Sequence, residues 1–340
     1  MTHPADASPR VRTVFIGTGA FGLDALRYLA VSPDVAIVGI VTAPARPAGR
    51  GGALRPSPVE TLARDLGIAE VQAPERLRRP EAVAAVLALH PDLIVLADYG
   101  QIVPAALLQV RHGALNLHPS LLPRHRGASP IPATILAGDM RTGVALMRMD
   151  DGLDTGPIVA VDDVPLDGTE AAPALEAALA ARGAHLLGRC LRDWIDGSLA
   201  ARPQDVAGGT LTRPLQRDDG RLDPSRSADL LERQVRAFQP WPGSWFEVGA
   251  GRMTVWRAAV RPDLPGAAPG ELRGDGRALL LQSSRGALDL LEVQPAGSRR
   301  MSADELLRGR PGLSGQHLQP SPPGAGSRPV EWPVGYSPVP

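Results

Sequence analysis

Apolar runs of strand length alternate with helical patterns through the first half of the chain, and that alternation restricts the fold more than any other feature. RTVFI (12–16), VAIVGIVT (35–42) and DLIVLA (92–97) read as buried strands, and residues 114–117 and 143–149 continue the series. Between them, residues 20–31, 57–66 and 79–89 carry helical spacing. Strands apolar on both faces and separated by helices build βαβ units around a parallel sheet. Leu175, Leu179, Leu187, Leu191 and Trp194 recur at helical intervals, which predicts a long helix over 172–197 closing the sheet. The expectation is an α/β fold with a Rossmann-like, doubly wound and mostly parallel sheet.

The pattern changes near residue 200. ARPQDVAGGT is rich in Pro and Gly and predicts a linker. One helix (227–238) then precedes short strands at 252–260, 278–282 and 287–293, which predict a small, mainly β, barrel-like domain. From residue 319 the composition is that of a disordered tail. The predicted organisation is a flexible N-terminus (1–11), an α/β domain (12–200), a linker (201–215), a β domain (216–318) and a Pro/Gly-rich tail (319–340). A length of 340 residues suits two domains.

Composition removes several kinds of chemistry. All basic residues are Arg, so a covalent mechanism through a lysine amine is excluded. A net charge of zero argues against a general nucleic-acid coat but permits a local basic patch. The single cysteine, Cys190, rules out an internal disulfide and a cysteine zinc site, and reads as a small core residue. The N-terminus has no apolar signal core, and no run approaches the ~18 apolar residues of a membrane span. A cytoplasmic protein without membrane contact is expected.

GTGAFG at 17–22 follows a strand and opens a helix, as in dinucleotide-binding loops. The second strand ends in Thr42-Ala43-Pro44 without the carboxylate that would bind ribose, although Arg46 could suit a 2′-phosphate. An NADP-dependent oxidoreductase is therefore an alternative. The plainer reading is a glycine turn from strand to helix.

A second site lies at the end of the strand at 114–117. Asn116 and His118 alternate onto one side of the chain, at the carboxyl end of a strand, where such sheets bind ligands. An amide can donate to a developing oxyanion, and a carboxylate beside an imidazole supports its charged form. MDDGLDTGPI (149–158) offers Asp150, Asp151 and Asp154, and the chemistry alone does not choose among them. Trp241, flanked by prolines in PWPGSW, reads as a structural anchor in a turn.

NLHPSLLPRHRGASPI (116–131) followed by AGDMRTGVALMRMDDGLDTGPI (137–158) closely resembles the formyltransferases that use 10-formyltetrahydrofolate, in particular the branch acting on methionyl-tRNA. That family's signature is Asn-x-His, then Ser-Leu-Leu-Pro, then an Asp in a Gly-hydrophobic-Asp-Thr/Ser-Gly loop. The matching residues are Asn116, His118, Ser120 to Pro123, and Asp154. The resemblance thus selects Asp154 and implies a catalytic set of Asn116, His118 and Asp154. It continues through RPAGRGGALRPSPV (46–59), ADYGQIVP (97–104), VRAFQPWPGSWFEV (235–248) and VQPAGSRRMSADELL (293–307).

The resemblance also implies partners. Initiator methionyl-tRNA would be the acceptor, and 10-formyltetrahydrofolate the donor, with no metal. Leu96, Asp98, Tyr99, Gly100, Ser120, Leu121, Leu122 and Pro123 would line the folate pocket. Arg46, Arg50, Arg55, Arg299 and Arg300 would meet tRNA phosphates, the last two from an OB-like C-terminal domain. A monomer is expected. A relative acting on a nucleotide-linked amino sugar would keep the three catalytic residues without the basic loop and second domain. Three departures from the family pattern stand out: Gly19 where Pro is usual, Asp98 where a small apolar residue is common, and Gly52-Ala53 where many relatives carry lysines.

Overall fold

The computed structural model describes residues 9–48, 52–205, 207–249, 251–274, 277–318 and 330–333. The first half of the chain supplies β1 (Val11–Gly17), β2 (Val35–Val41), the hairpin strands β3 (Arg46–Ala48) and β4 (Ala53–Arg55), β5 (Val71–Gln72), β6 (Leu93–Ala97), β7 (Ala114–His118), the short β8 (Arg126–Gly127), β9 (Arg141–Arg148) and β10 (Ile158–Pro165). Seven of these form one sheet in the order β10-β9-β7-β6-β1-β2-β5. The strands from β7 to β5 run parallel, and β9 and β10 are added antiparallel at one edge. Helices α1 (Leu23–Val31), α2 (Pro58–Asp65), α3 (Pro80–Leu87), α4 (Ala105–Leu108), α5 (Pro130–Ala137) and α6 (Ala172–Ile195) accompany it.

Alternate side chains of the central strands enter two separate cores. Phe15, Val95, Leu115 and Leu117 pack with Leu26 of α1 and Leu179 and Leu187 of α6. Val14, Ile16, Ile94 and Leu96 pack with Val86 of α3 and Leu107 of α4. Burying each such side chain stabilises by about 1.5–3 kcal/mol, and burial on both faces is why these strands read as unbroken apolar runs. Local signals set the helix ends. At α2, Ser57 accepts from Glu60 N at 2.9 Å and Pro58 opens the first turn. Helix α5 escaped the sequence reading because PIPATILA is apolar nearly all round and shows no helical period.

Two further pieces follow along the chain. β11 (Thr210–Thr212) lies within the expected linker. Then α7 (Ala228–Ala237), β12 (Ser244–Val248), β13 (Gly251–Arg261), β14 (Leu272–Gly274), β15 (Leu279–Gln282), β16 (Ala287–Pro295), β17 (Met301–Ser302) and α8 (Ala303–Gly309) build the second domain, a small barrel-like unit. Its antiparallel sheet runs β12-β13-β16-β15-β14, with β17 on β16. Phe246, Val255, Leu281, Leu290 and Val293 fill its core with Leu231 and Val235 of α7. The same helix reaches back to the first domain, where Ala237 and Phe238 join the core under α6 and Arg236 donates to the Glu170 carbonyl at 2.7 Å.

Two expectations need correction. β18 (Glu331–Pro333) pairs antiparallel with β11, and β11 pairs parallel with β8, so part of the expected linker and part of the expected tail are strands of one small sheet. Residues 319–329 and 334–340 of that tail, and 1–8 of the expected flexible N-terminus, lie outside the described residues. Trp241 is not an anchor: it is 56% exposed, and Trp245 takes that role, buried with the guanidinium groups of Arg252 and Arg221 at 3.7 and 5.2 Å from its ring centroid. Cys190 is buried on α6, which pushes its thiol pKa up. Among the described residues, no helix is long and apolar enough to cross a membrane.

Candidate active site

Strand β7 carries its two polar residues to the carboxyl edge of the sheet, beside the end of β6, where Leu96 pairs with Asn116 and Ala97 with Leu117. Asn116 and His118 are both buried. Asp154 reaches them from the loop between β9 and β10. Its Oδ1 accepts from Asn116 Nδ2 at 3.3 Å, and its Oδ2 accepts from Gly127 N at 2.8 Å. The same Oδ2 lies 3.6 Å from His118 Nδ1. The three residues that the resemblance selected are therefore brought together.

The alternatives to Asp154 are accounted for. Asp150 accepts from Gly152 N at 3.0 Å and from the Thr155 hydroxyl at 2.7 Å, which folds the loop. Asp151 is exposed. Asp154 itself sits at φ 51°, a left-handed conformation that Asp tolerates better than most residues.

His118 is oriented by a group the sequence did not reveal. Its Nε2 lies 2.9 Å from the His125 carbonyl oxygen. A carbonyl only accepts, so Nε2 carries a proton and Nδ1 is the nitrogen turned toward Asp154. The loop bearing that carbonyl is itself held. The His125 ring contacts Asp139 Oδ2 at 2.7 Å, and Arg124 grips Asp139 with two bonds of 2.9 and 2.7 Å. Burial alone would raise the Asp139 pKa, but the bonds from His125 and Arg124 outweigh it and hold the carboxyl below its ordinary range.

The linker closes the site from behind. His125 N donates to Thr210 Oγ1 at 2.8 Å, and Thr212 Oγ1 donates to the Arg126 carbonyl at 2.9 Å. Gly127 has φ 98°, and a Cβ there would stand 2.2 Å from the Thr212 carbonyl oxygen, so only glycine lets β11 lie this close.

The expected folate-pocket residues differ in what they present. The Leu96 side chain is buried in the core, and its backbone is paired between β1 and β7. Ser120 is fully buried, and its hydroxyl donates to the Arg124 carbonyl at 2.7 Å, which shapes the loop; this corrects the expectation that it faces the pocket. Leu121, Leu122 and Pro123 are half-buried and Gly100 is exposed. The Tyr99 hydroxyl is buried without a hydrogen-bond partner among the described residues, and burial pushes its pKa to about 12.

Asp98 explains the unusual first loop. It has φ 55°, and its carbonyl accepts from Thr18 N at 2.9 Å. A Cβ on Gly19 would stand 1.7 Å from Asp98 Oδ2, so the carboxylate occupies the space a proline ring would need. Asp98 is exposed as a residue, but the protein atoms around its carboxyl partly desolvate it, which raises its pKa. Glu176 of α6 is raised as well, first by burial and then by the charge of Asp98. A pyrophosphate placed over GTGAFG would meet this acidic pair, so the motif is a packing solution and not a nucleotide fingerprint.

The arginines divide. Arg46 and Arg55 are exposed and directly opposite each other in the β3–β4 hairpin, with no carboxylate partner among the described residues. Arg50 falls outside the described residues. Arg299 is paired with Glu305. Arg300 stacks 3.4 Å from the centroid of the Trp256 ring.

Known proteins resemble this chain in sequence and in fold. The formyl transferase family matches residues 11–191, and the formyl transferase C-terminal domain family matches 214–311. The chain is 41% identical over 305 residues to the methionyl-tRNA formyltransferase of Symbiobacterium thermophilum, covering 88% of this chain and 92% of that protein. It is 41% identical to that of Chloroflexus aggregans, covering 88% and 97%. In structure it resembles an N-formyltransferase of Helicobacter canadensis solved with folinic acid and dTDP-3-aminofucose. The TM-score is 0.58 at 13% identity, over 82% of this chain and 98% of that one.

Proposed function

The chain belongs to the formyl transferase family, and on that premise we propose that it moves the formyl group of 10-formyltetrahydrofolate to the α-amine of initiator methionyl-tRNA. One observation carries this reading. Asn116, His118 and Asp154 converge at the carboxyl edge of the sheet, in a chain 41% identical over 88% of its length to a protein named methionyl-tRNA formyltransferase.

The substrate amine attacks the formyl carbon, and the carbonyl electrons move onto oxygen. One N–H of Asn116 is engaged by Asp154; the other donates to the oxyanion. His118 keeps its Nε2 proton on the His125 carbonyl, so it is a protonated Nδ1 that joins Asn116 in donating to the oxyanion. Asp154 supports the charged imidazole and accepts the proton lost by the amine. Delivery of that proton to the departing folate nitrogen completes breakage of its bond to the formyl carbon. Leu121, Leu122 and Pro123 supply an apolar wall for the folate, and the main chain from Leu96 to Gly100 reads its edge. Arg46 and Arg55, with Arg50 between them in sequence, serve the phosphates of the acceptor stem, and the β domain extends the contact through Arg300.

The test is formyl transfer by purified protein to three acceptors: initiator methionyl-tRNA, elongator methionyl-tRNA and a nucleotide-linked amino sugar. Fast transfer to the initiator species alone is expected. Transfer to the sugar alone would overturn the tRNA assignment while leaving the catalytic residues in place.

A further inference from the structure

One half-buried amide joins the two loops that build the site. Gln204 lies between the catalytic sheet and β11. Its Nε2 donates to the Asp154 carbonyl at 2.9 Å and to the Gly156 carbonyl at 2.7 Å. Its Oε1 accepts from Arg126 Nε at 3.1 Å and from Arg126 Nη2 at 2.7 Å. Arg126 is 4% exposed and precedes Gly127, whose N–H holds the Asp154 carboxylate. The segment is anchored just upstream, where Arg202 and Ile158 exchange backbone bonds of 2.8 and 2.7 Å. Downstream, Thr210 and Thr212 fix it to the His125 loop.

We propose that Gln204 is a positioning residue for Asp154, acting from the segment that joins the two domains; this rests on the reading of Asp154 as a catalytic residue. Three features support it. Asp154 occupies a left-handed backbone conformation, which persists only where its surroundings determine it. Gln204 bonds the carbonyl of that very residue. An amide alone among side chains offers two N–H groups on one side and a carbonyl acceptor on the other, matching two carbonyls and one guanidinium. A carboxylate would keep the Arg126 contacts and oppose both carbonyls with lone pairs. An aliphatic side chain would leave the buried Arg126 guanidinium without this acceptor.

The experiment uses the full chain and single-turnover formyl transfer from 10-formyltetrahydrofolate to methionyl-tRNA, below the melting temperature of every variant. Gln204→Leu and Gln204→Glu are measured alone and in an Asp154→Asn background. A misplaced catalytic group costs up to roughly 10²-fold, so each Gln204 variant is expected to lose about 10- to 100-fold in rate. The KM values for both substrates should stay within about twofold, since no binding contact is touched. With Asp154 already disabled, the same changes should cost less than about threefold, because residues acting through one another are not additive. Gln204→Glu retains the Arg126 contacts and serves as the reporter if Gln204→Leu fails to fold. A rate within about twofold of the parent in both Gln204 variants, with Asp154→Asn impaired, would overturn the positioning role alone. Equal losses in the two backgrounds would also overturn it. Near-normal turnover of Asp154→Asn would instead overturn the catalytic assignment on which it rests.

Discussion

Asp98 and Asp139 are two carboxyls shifted in opposite directions, so their contributions to stability change with pH in opposite senses. Desolvation raises Asp98, so the folded state holds its proton more tightly than the unfolded chain. Its contribution is most favourable below the ordinary carboxylate value of 3.8 and declines as the pH rises through the folded value. Asp98→Asn is therefore expected to resist urea better than the parent at neutral pH, with the gain closing on acidification. Asp139 is depressed, so its contribution is present above 3.8 and lost as the pH falls through its folded value. Asp139→Asn should cost about 1–3 kcal/mol at neutral pH, and less in acid, by the same titration. At the reacting centre, His118→Ala should lower turnover by roughly 10²–10³, as loss of an oxyanion donor does; near-normal single-turnover rates would remove His118 from the mechanism. The departures at Gly19 and Asp98 were visible in the sequence as separate oddities. Their physical unity was not, because contact between residues 79 positions apart leaves no local pattern.

The β3–β4 hairpin sets two like charges face to face at Arg46 and Arg55. Such a pair weakens the hairpin slightly, and an external anion offsets that repulsion. Replacing both with Ala should raise the KM for tRNA and reduce its salt dependence by a slope of about two, one for each lost phosphate contact. Arg299→Ala should change neither, because Glu305 already holds that guanidinium. Helix α2 was legible through the helical spacing over 57–66, and α6 through its leucine spacing. The hairpin and β8 are two or three residues per strand, too short for any periodicity to register. The orienting role of the His125 carbonyl was invisible for a different reason: a main-chain group carries no sequence letter.

At the scale of the whole molecule, the alternation of strands and helices revealed the parallel sheet, and the β domain showed in its short strands and turns. The ordering of β18, β11 and β8 was hidden, because Pro- and Gly-rich composition describes a segment without local preference, and pairing partners far away in sequence decide its state. Deleting residues 330–340 removes β18 and exposes the edge of β11. The expected result is a lower melting temperature and a slower formyl transfer, with the tRNA KM unchanged. An unchanged melting temperature and rate would show that β11 holds its place without that neighbour.

The pairing of β11 with β8 also decides where this chain can be recombined. Arg202, Gln204, Thr210 and Thr212 follow the large sheet in sequence, yet they bond back to its edge and its loops: Arg202 to Ile158, Gln204 to the Asp154 loop, and Thr210 and Thr212 to the His125 loop. A chimaera that grafts a foreign C-terminal domain after Ala201 would discard part of the candidate site's scaffold with the domain it replaces. The workable junction lies beyond Arg213, so the inheritable module is the sheet together with the strand that follows it in sequence.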